Sequence, residues 1–417
     1  MKKTKLLHCG KLFDGIHDQL RSNVDILVEG EFIKEVGRNL PITSDVAEID
    51  LSTLTVTPGM IDAHIHSDIL DWRTFWQNIP YFSDAHTTLV HLHTAQRCLE
   101  RGFTTIRSHP TNPNFTTVDV KNLIDKGVFP GARMHVACRL LGTPGSHIDN
   151  GQSYRSNPMA GLKLQACNIG TGPDFFRNAV RNDVKYGADF VKLFLSGGFS
   201  TPNDGPEDQQ MEDDEIEAFI TTANALHCPS TAHVYAPVLM QKLIKYGITG
   251  MEHGSLMDEE TAQLFEKTDT YLVPTFCPYD DIIAGDEDSL AKKSPAFRKK
   301  LRYYGEWLKE GRKVIINSNI CLGYGTDLVA VHQCYESWHE YASWLNSGMD
   351  PYRALKAATS VNARILNMSD KIGTIEPGKY ADISAWHRNL LKDPNALSEC
   401  DFVMKGGTVY SSVYSVD

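Results

Sequence analysis

From Thr57 onward, short apolar runs alternate with amphipathic stretches, and this alternation constrains the fold more than any other feature of the 417 residues. Eight runs read as strands: Thr55–His66, Thr104–His109, Arg133–Leu140, Phe190–Leu195, Ser230–Val234, Gly250–His253, Tyr271–Thr275 and Leu322–Asp327. A helix after each strand carries the chain back to the same edge, so the strands run parallel, and eight such units predict a closed (β/α)8 TIM barrel. Before it, apolar or β-branched runs at Lys5–Phe13, Asp25–Val28 and Phe32–Val36 are separated by turn residues. After Ile372 the chain returns to short strands, Gly373–Gly378, Ala381–Trp386 and Phe402–Tyr410. The expected fold class is therefore α/β, with residues 1–57 and 372–417 pairing as a small β-sandwich domain and residues 58–371 forming the barrel.

Composition narrows the function. With 41% hydrophobic and 22% charged residues the chain can bury a large core. A net charge of −11, with no long basic run, argues against nucleic acid as a partner. No stretch has the length of a membrane span, and the three lysines before Gly10 precede no apolar stretch of signal-peptide length, so a cytoplasmic protein outside the membrane is expected. The nine cysteines form no CxxC pair and read as reduced core thiols. A homo-oligomer acting on a small-molecule substrate is the expected assembly. The segment Asp280–Lys300 is polar and without apolar periodicity, which reads as a mobile loop over the barrel mouth.

Chemistry concentrates at the strand ends. His64 and His66 close the first barrel strand at i and i+2, and a strand puts both imidazoles on one face, where they can share a metal ion. Lys192 stands alone among Phe190-Val-Lys-Leu-Phe-Leu. Burial disfavours its cation, so a neutral amine could add carbon dioxide and become an anionic carbamate; pairing with a carboxylate, or reaching to the rim, satisfies it equally well. His233 and His253 close two further runs twenty residues apart, enough for one helix and its turns, and Asp327 follows Gly323-Tyr-Gly-Thr at the end of the last run. Taken singly, these residues read as easily as core histidines and an Asx turn. Gly373-Thr-Ile-Glu-Pro-Gly-Lys-Tyr has phosphate-loop spacing, but Tyr380 stands where a hydroxyl ligand for magnesium would be, and it reads as a turn between strands.

The ordered set His64, His66, Lys192, His233, His253 and Asp327 resembles the amidohydrolase superfamily, and the flanks Val56-Thr-Pro-Gly-Met-Ile-Asp-Ala and Gly373-Thr-Ile-Glu-Pro-Gly-Lys-Tyr-Ala-Asp-Ile agree. Phe190-Val-Lys-Leu-Phe-Leu-Ser-Gly-Gly and Ala232-His-Val-Tyr are similar to the imidazolonepropionase-like branch that holds Xaa-Pro and Xaa-Arg/Lys dipeptidases, metal-dependent carboxypeptidases and ochratoxinase-like amidases. The resemblance implies two divalent metals, zinc by default with manganese or cobalt as alternatives. His64, His66 and Asp327 would hold one metal and His233 and His253 the other, with carboxylated Lys192 and a hydroxide bridging them. Asp327 would also act as general base and acid. His147 and Tyr235 would face the substrate, expected to be an N-acyl amino acid or dipeptide. The branch often shows Arg-Asp-Leu-Gly after its second strand, whereas this chain has Arg107-Ser-His109-Pro; Arg107 reads as structural and His109 as a rim histidine without a role. A cyclic amide or urea hydrolase, a heterocycle deaminase, a lactone or organophosphate esterase, and a metal-free scaffold remain the alternatives, with Lys192 counting against the deaminase.

Overall fold

The computed structural model describes residues 4–41, 45–112, 114–149, 168–328 and 333–412. Strands β1 (Thr4–Leu12), β2 (Arg21–Glu29) and β3 (Phe32–Gly37) form an antiparallel ribbon. The long β4 (Val46–Pro58) lies parallel to β1 and antiparallel to a strand from the other end of the chain. In β2, Val24, Ile26 and Val28 are buried at every second position, the period that gives a sheet one core face.

Past Pro58 the barrel-type strands begin: β5 (Met60–Ile65), β6 (Phe103–Ser108), β7 (Arg133–Val136), β8 (Leu140–Leu141), β9 (Val191–Phe194), β10 (Ser230–Val234), β11 (Gly250–His253) and β12 (Tyr271–Val273). The run Thr55–His66, expected as one strand, divides at Gly59. The Gly59 N–H donates to Asp382 O at 2.8 Å, and any Cβ there would meet the Thr104 side chain at 2.1 Å, so only glycine lets β4 and β5 belong to different sheets. The chain ends with β13 (Ile383–Trp386) and the hairpin β14 (Phe402–Lys405) and β15 (Thr408–Ser412). The two chain ends join in one seven-stranded sheet of order β15-β14-β13-β4-β1-β2-β3.

The parallel strands divide into a five-stranded sheet, β12-β11-β10-β9-β8, and a three-stranded one, β5-β6-β7, so a single closed eight-stranded ladder is not what the described strands form. Two backbone seams bring them together. The expected eighth strand, 322–327, is not a regular strand, yet Gly323 N–H donates to Leu272 O and Ala63 N–H to Tyr324 O, both at 2.8 Å. Across the molecule, Asp189 N–H donates to Val136 O at 2.8 Å. Gly325 permits the first seam, since a Cβ there would meet His64 Cβ at 2.7 Å.

Helices pack around these strands over one large apolar core. Residues 280–300, expected as a mobile loop, are instead helical at Asp280–Ala284, Glu287–Ala291 and the start of Pro295–Asn317. Leu290, Phe297 and Leu301 bury themselves against Phe199, Tyr235 and Tyr279, anchoring the segment that sequence polarity made look free. The eight described cysteines are unpaired, and Cys167 lies outside the described residues.

Candidate metal centre

The C-terminal ends of the parallel strands gather the residues singled out in the sequence. His64 in β5, His253 at the end of β11 and Asp327 offer ligand atoms that all lie within 4.8 Å of one another. His66 Nε2 is 3.3 Å from Asp327 Oδ1, and the rings of His233 and His253 meet edge to face at 4.5 Å. Lys192, fully buried in β9, has Glu252, Arg107 and Asp327 as the charges that act on it.

Backbone geometry enforces the arrangement. His253, Thr275 and Asp327 take positive φ values of 71°, 47° and 50°, a left-handed conformation costly for non-glycine residues. His253 ends β11, Thr275 lies just beyond β12, and Asp327 ends the run that pairs with Leu272 and Ala63. Thr275 Oγ1 lies 2.8 Å from His253 Nδ1, and Thr111 Oγ1 lies 3.0 Å from His66 Nδ1. The Asp327 N–H donates to His64 O at 2.9 Å. Buried Asp62 accepts from His64 N–H at 3.0 Å, Thr326 Oγ1 at 2.8 Å and Ser337 Oγ at 2.6 Å, tying the first and last strand ends together.

Electrostatics favour neutral imidazoles and make the amine easier to deprotonate. Burial pulls His64 down to about 4 and takes His233 and His253 well below the usual histidine range. Burial likewise lowers Lys192 to about 8, with Arg107 adding to the fall and Glu252 and Asp327 opposing it. Burial would raise Asp327, but His64 and His66 outweigh it and hold the carboxyl below its ordinary value. Neutral imidazole nitrogens beside a carboxylate are the donor set of divalent transition metals. A metal would also satisfy His233 Nε2, which is buried without a hydrogen-bond partner among the described residues.

Both expected substrate-facing residues border this cluster. The His147 ring stacks on His233 at 4.9 Å, and its Nδ1 lies 2.9 Å from Asp204, which pairs with Lys300 at 2.9 Å. The Tyr235 ring stacks on His253 at 5.0 Å, and its hydroxyl accepts from Tyr279 at 2.8 Å.

One expectation is corrected, one is sharpened, and one residue was not anticipated. His109 is not on the rim: it is fully buried and stacks on His64 with centroids 4.0 Å apart. Arg107 is structural in a specific sense, donating to Glu252 Oε1, Ala63 O and the Tyr271 hydroxyl at 2.5, 2.6 and 2.5 Å. Glu252 was missed, although it carries the signal that exposed Lys192, a lone charge in a short buried strand. Its Oε2 lies 2.7 Å from His64 Nδ1. His64, His109 and Glu252 form the second described trio that could hold a metal ion.

Buried imidazoles and a carboxylate gathered at the ends of parallel strands define a hydrolase-type centre able to hold metal. The amidohydrolase family profile matches residues 55–413, and the chain belongs to that family. It is accordingly a hydrolase of C–N bonds acting on a small molecule. Ochratoxinase of Aspergillus niger is 25% identical over 436 residues, covering 98% of this chain and 87% of that protein. A crystal structure of a Xaa-Pro dipeptidase with methionine in its active site aligns with TM-score 0.85 at 26% identity, over 98% of this chain and 100% of that one. The Aspergillus niger ochratoxinase structure shares the fold at TM-score 0.83 and 20% identity, over 98% and 96%. No helix among the described residues is long and apolar enough to cross a membrane.

Proposed function

We propose that the protein is a binuclear metal-dependent amidohydrolase that cleaves the amide bond of an N-acyl amino acid or a dipeptide. The observation that carries this is the convergence of His64, His253 and Asp327 within 4.8 Å of one another, with His66 and His233 beside them. In this reading His64, His66 and Asp327 hold one metal and His233 and His253 the second, with zinc the expected ion. In its neutral form the Lys192 amine would add to carbon dioxide, shed one proton and become a carbamate, an anionic oxygen ligand for the metals. We read the parallel strands as a (β/α)8 barrel, a reading that the backbone hydrogen bonds at 322–327 and Asp189 support, and residues 1–57 and 372–417 as a small β-sandwich domain. The likeness to ochratoxinase and to a Xaa-Pro dipeptidase supports the substrate class.

The metals would supply a polarised carbonyl and a water that ionises near neutral pH. Asp327, as general base, takes the proton from the attacking water and passes it to the leaving nitrogen as the C–N bond breaks. Tyr279 donates to Tyr235, which leaves the Tyr235 hydroxyl hydrogen for the substrate. His147, held by Asp204, stacks on His233 and with Tyr235 would bind the substrate carboxylate or the developing oxyanion.

The test is metal content per chain together with amino-acid release from a panel of N-acyl amino acids and dipeptides, for wild type and Lys192→Ala. About two metals and turnover that the variant loses support the proposal. Metal without amide turnover points to cyclic amides or esters, and absence of metal points to a scaffold.

A further inference from the structure

The Arg107–Glu252 pair does more than neutralise two buried charges. Glu252 Oε1 accepts from Arg107 and, at 2.6 Å, from Thr231 Oγ1, so the donors on that oxygen are fixed. Oε2 is left facing His64 Nδ1 at 2.7 Å. This acceptor places the ring hydrogen on Nδ1 and turns the Nε2 lone pair toward Asp327, whose Oδ1 is 3.7 Å away. His109 lies flat against the same ring, 13° from parallel, and limits its rotation. Arg107 is in turn held at three points, with Phe190 and Tyr271 rings beside its guanidinium. The alternative use of these groups, a metal between His64, His109 and Glu252, is opposed by the guanidinium already seated 2.5 Å from Glu252 Oε1.

We propose that Glu252, braced by Arg107, is a positioning residue that sets the tautomer and orientation of His64 for metal capture. The inference rests on the metal reading of the centre and extends it to residues outside the ligand set. A buried ion pair kept only for folding would be replaceable by two apolar side chains of similar length, since removing both charges leaves neither unpaired. A positioning pair would not be.

The experiment measures folding by thermal melting and zinc affinity by chelator competition in three proteins: wild type, Glu252→Met, and the double variant Arg107→Met with Glu252→Met. The single variant strands a buried guanidinium and is expected to melt early. The double variant is expected to melt well above the single one, short of wild type because Ala63 O, Tyr271 and Thr231 lose partners, while one zinc equivalent per chain binds about 10–100-fold more weakly and the other is unchanged. A double variant that folds and binds both equivalents with wild-type affinity overturns the inference and leaves the metal reading intact. A double variant that fails to fold also overturns it, because the pair then serves stability. A wild type that binds no zinc, manganese or cobalt overturns the metal reading and the inference with it.

Discussion

The seven-stranded sheet and the strand-end cluster solve opposite problems within one chain. The sheet buries mostly apolar side chains, Leu7, Val24, Ile26, Val28, Ile49 and their neighbours, with Thr57 and Ser384 as hydrogen-bonded exceptions, and its hairpin turns place glycine at positive φ, as at Gly30, Gly406 and Gly407. The cluster buries His64, Arg107, His109, Lys192, His233, Glu252 and His253, and takes its positive φ at His253, Thr275 and Asp327, where each side chain is needed. The sheet departs from local rules at scattered points, such as the φ of 52° at Asn23 and the register shifts in its ladders, whereas the cluster breaks several in one place. A fold tolerates such breaks where rigid strands on all sides over-determine the backbone, and that is where chemistry is expected.

Substitutions can break this contrast. Asp327→Asn keeps the shape but cannot take a proton; turnover should fall by a factor of about 10²–10⁴ with the melting temperature nearly unchanged. Equal losses of stability and turnover would place Asp327 in the framework instead. Ile26→Ala should do the reverse, lowering unfolding free energy by about 2–5 kcal/mol in denaturant titrations while the specific activity of the folded fraction holds.

A smaller effect comes from Lys405, where the sheet meets the barrel strands. Its Nζ donates to Gly131 O at 2.5 Å, and burial lowers it to about 8, with Arg133 adding to the fall. The unfolded lysine binds its proton up to about pH 10.5 while the folded one releases it from about 8, so between these values the unfolded state holds more protons and stability rises with pH. Wild type should therefore gain about 2 kcal/mol on Lys405→Met between pH 8 and 10.5, allowing for partial exposure. A flat difference would show that the amine is not desolvated. Smallest of all, Thr275→Gly should change stability by less than about 1 kcal/mol, because relief of the strained φ offsets the lost hydrogen bond to His253. A loss above about 2 kcal/mol would mean that the turn is not strained.

The same contrast explains what could be read from sequence. Period-2 burial in β2, and the alternation of strands with helices, are local patterns, so the sheet and most parallel strands were legible. His64, His66, Lys192, His233, His253 and Asp327 were readable as an ordered set only through the family resemblance, since most of them taken singly read as easily as core or turn residues. Glu252 was overshadowed by His253 beside it, and Arg107 and His109 show their roles only when β6 packs against β5. The break at Gly59 depends on Thr104, a residue distant in sequence, and the helices of 280–300 depend on the aromatic surface of Phe199, Tyr235 and Tyr279 that they cover.

The central claim is that the strand ends form a two-metal site, and anomalous scattering at the zinc edge from crystals grown with zinc and bicarbonate tests it most directly. The account predicts two peaks, one between His64, His66 and Asp327 and one between His233 and His253, with extra density on the Lys192 amine. No peak there, or a single peak between His64, His109 and Glu252, would contradict it.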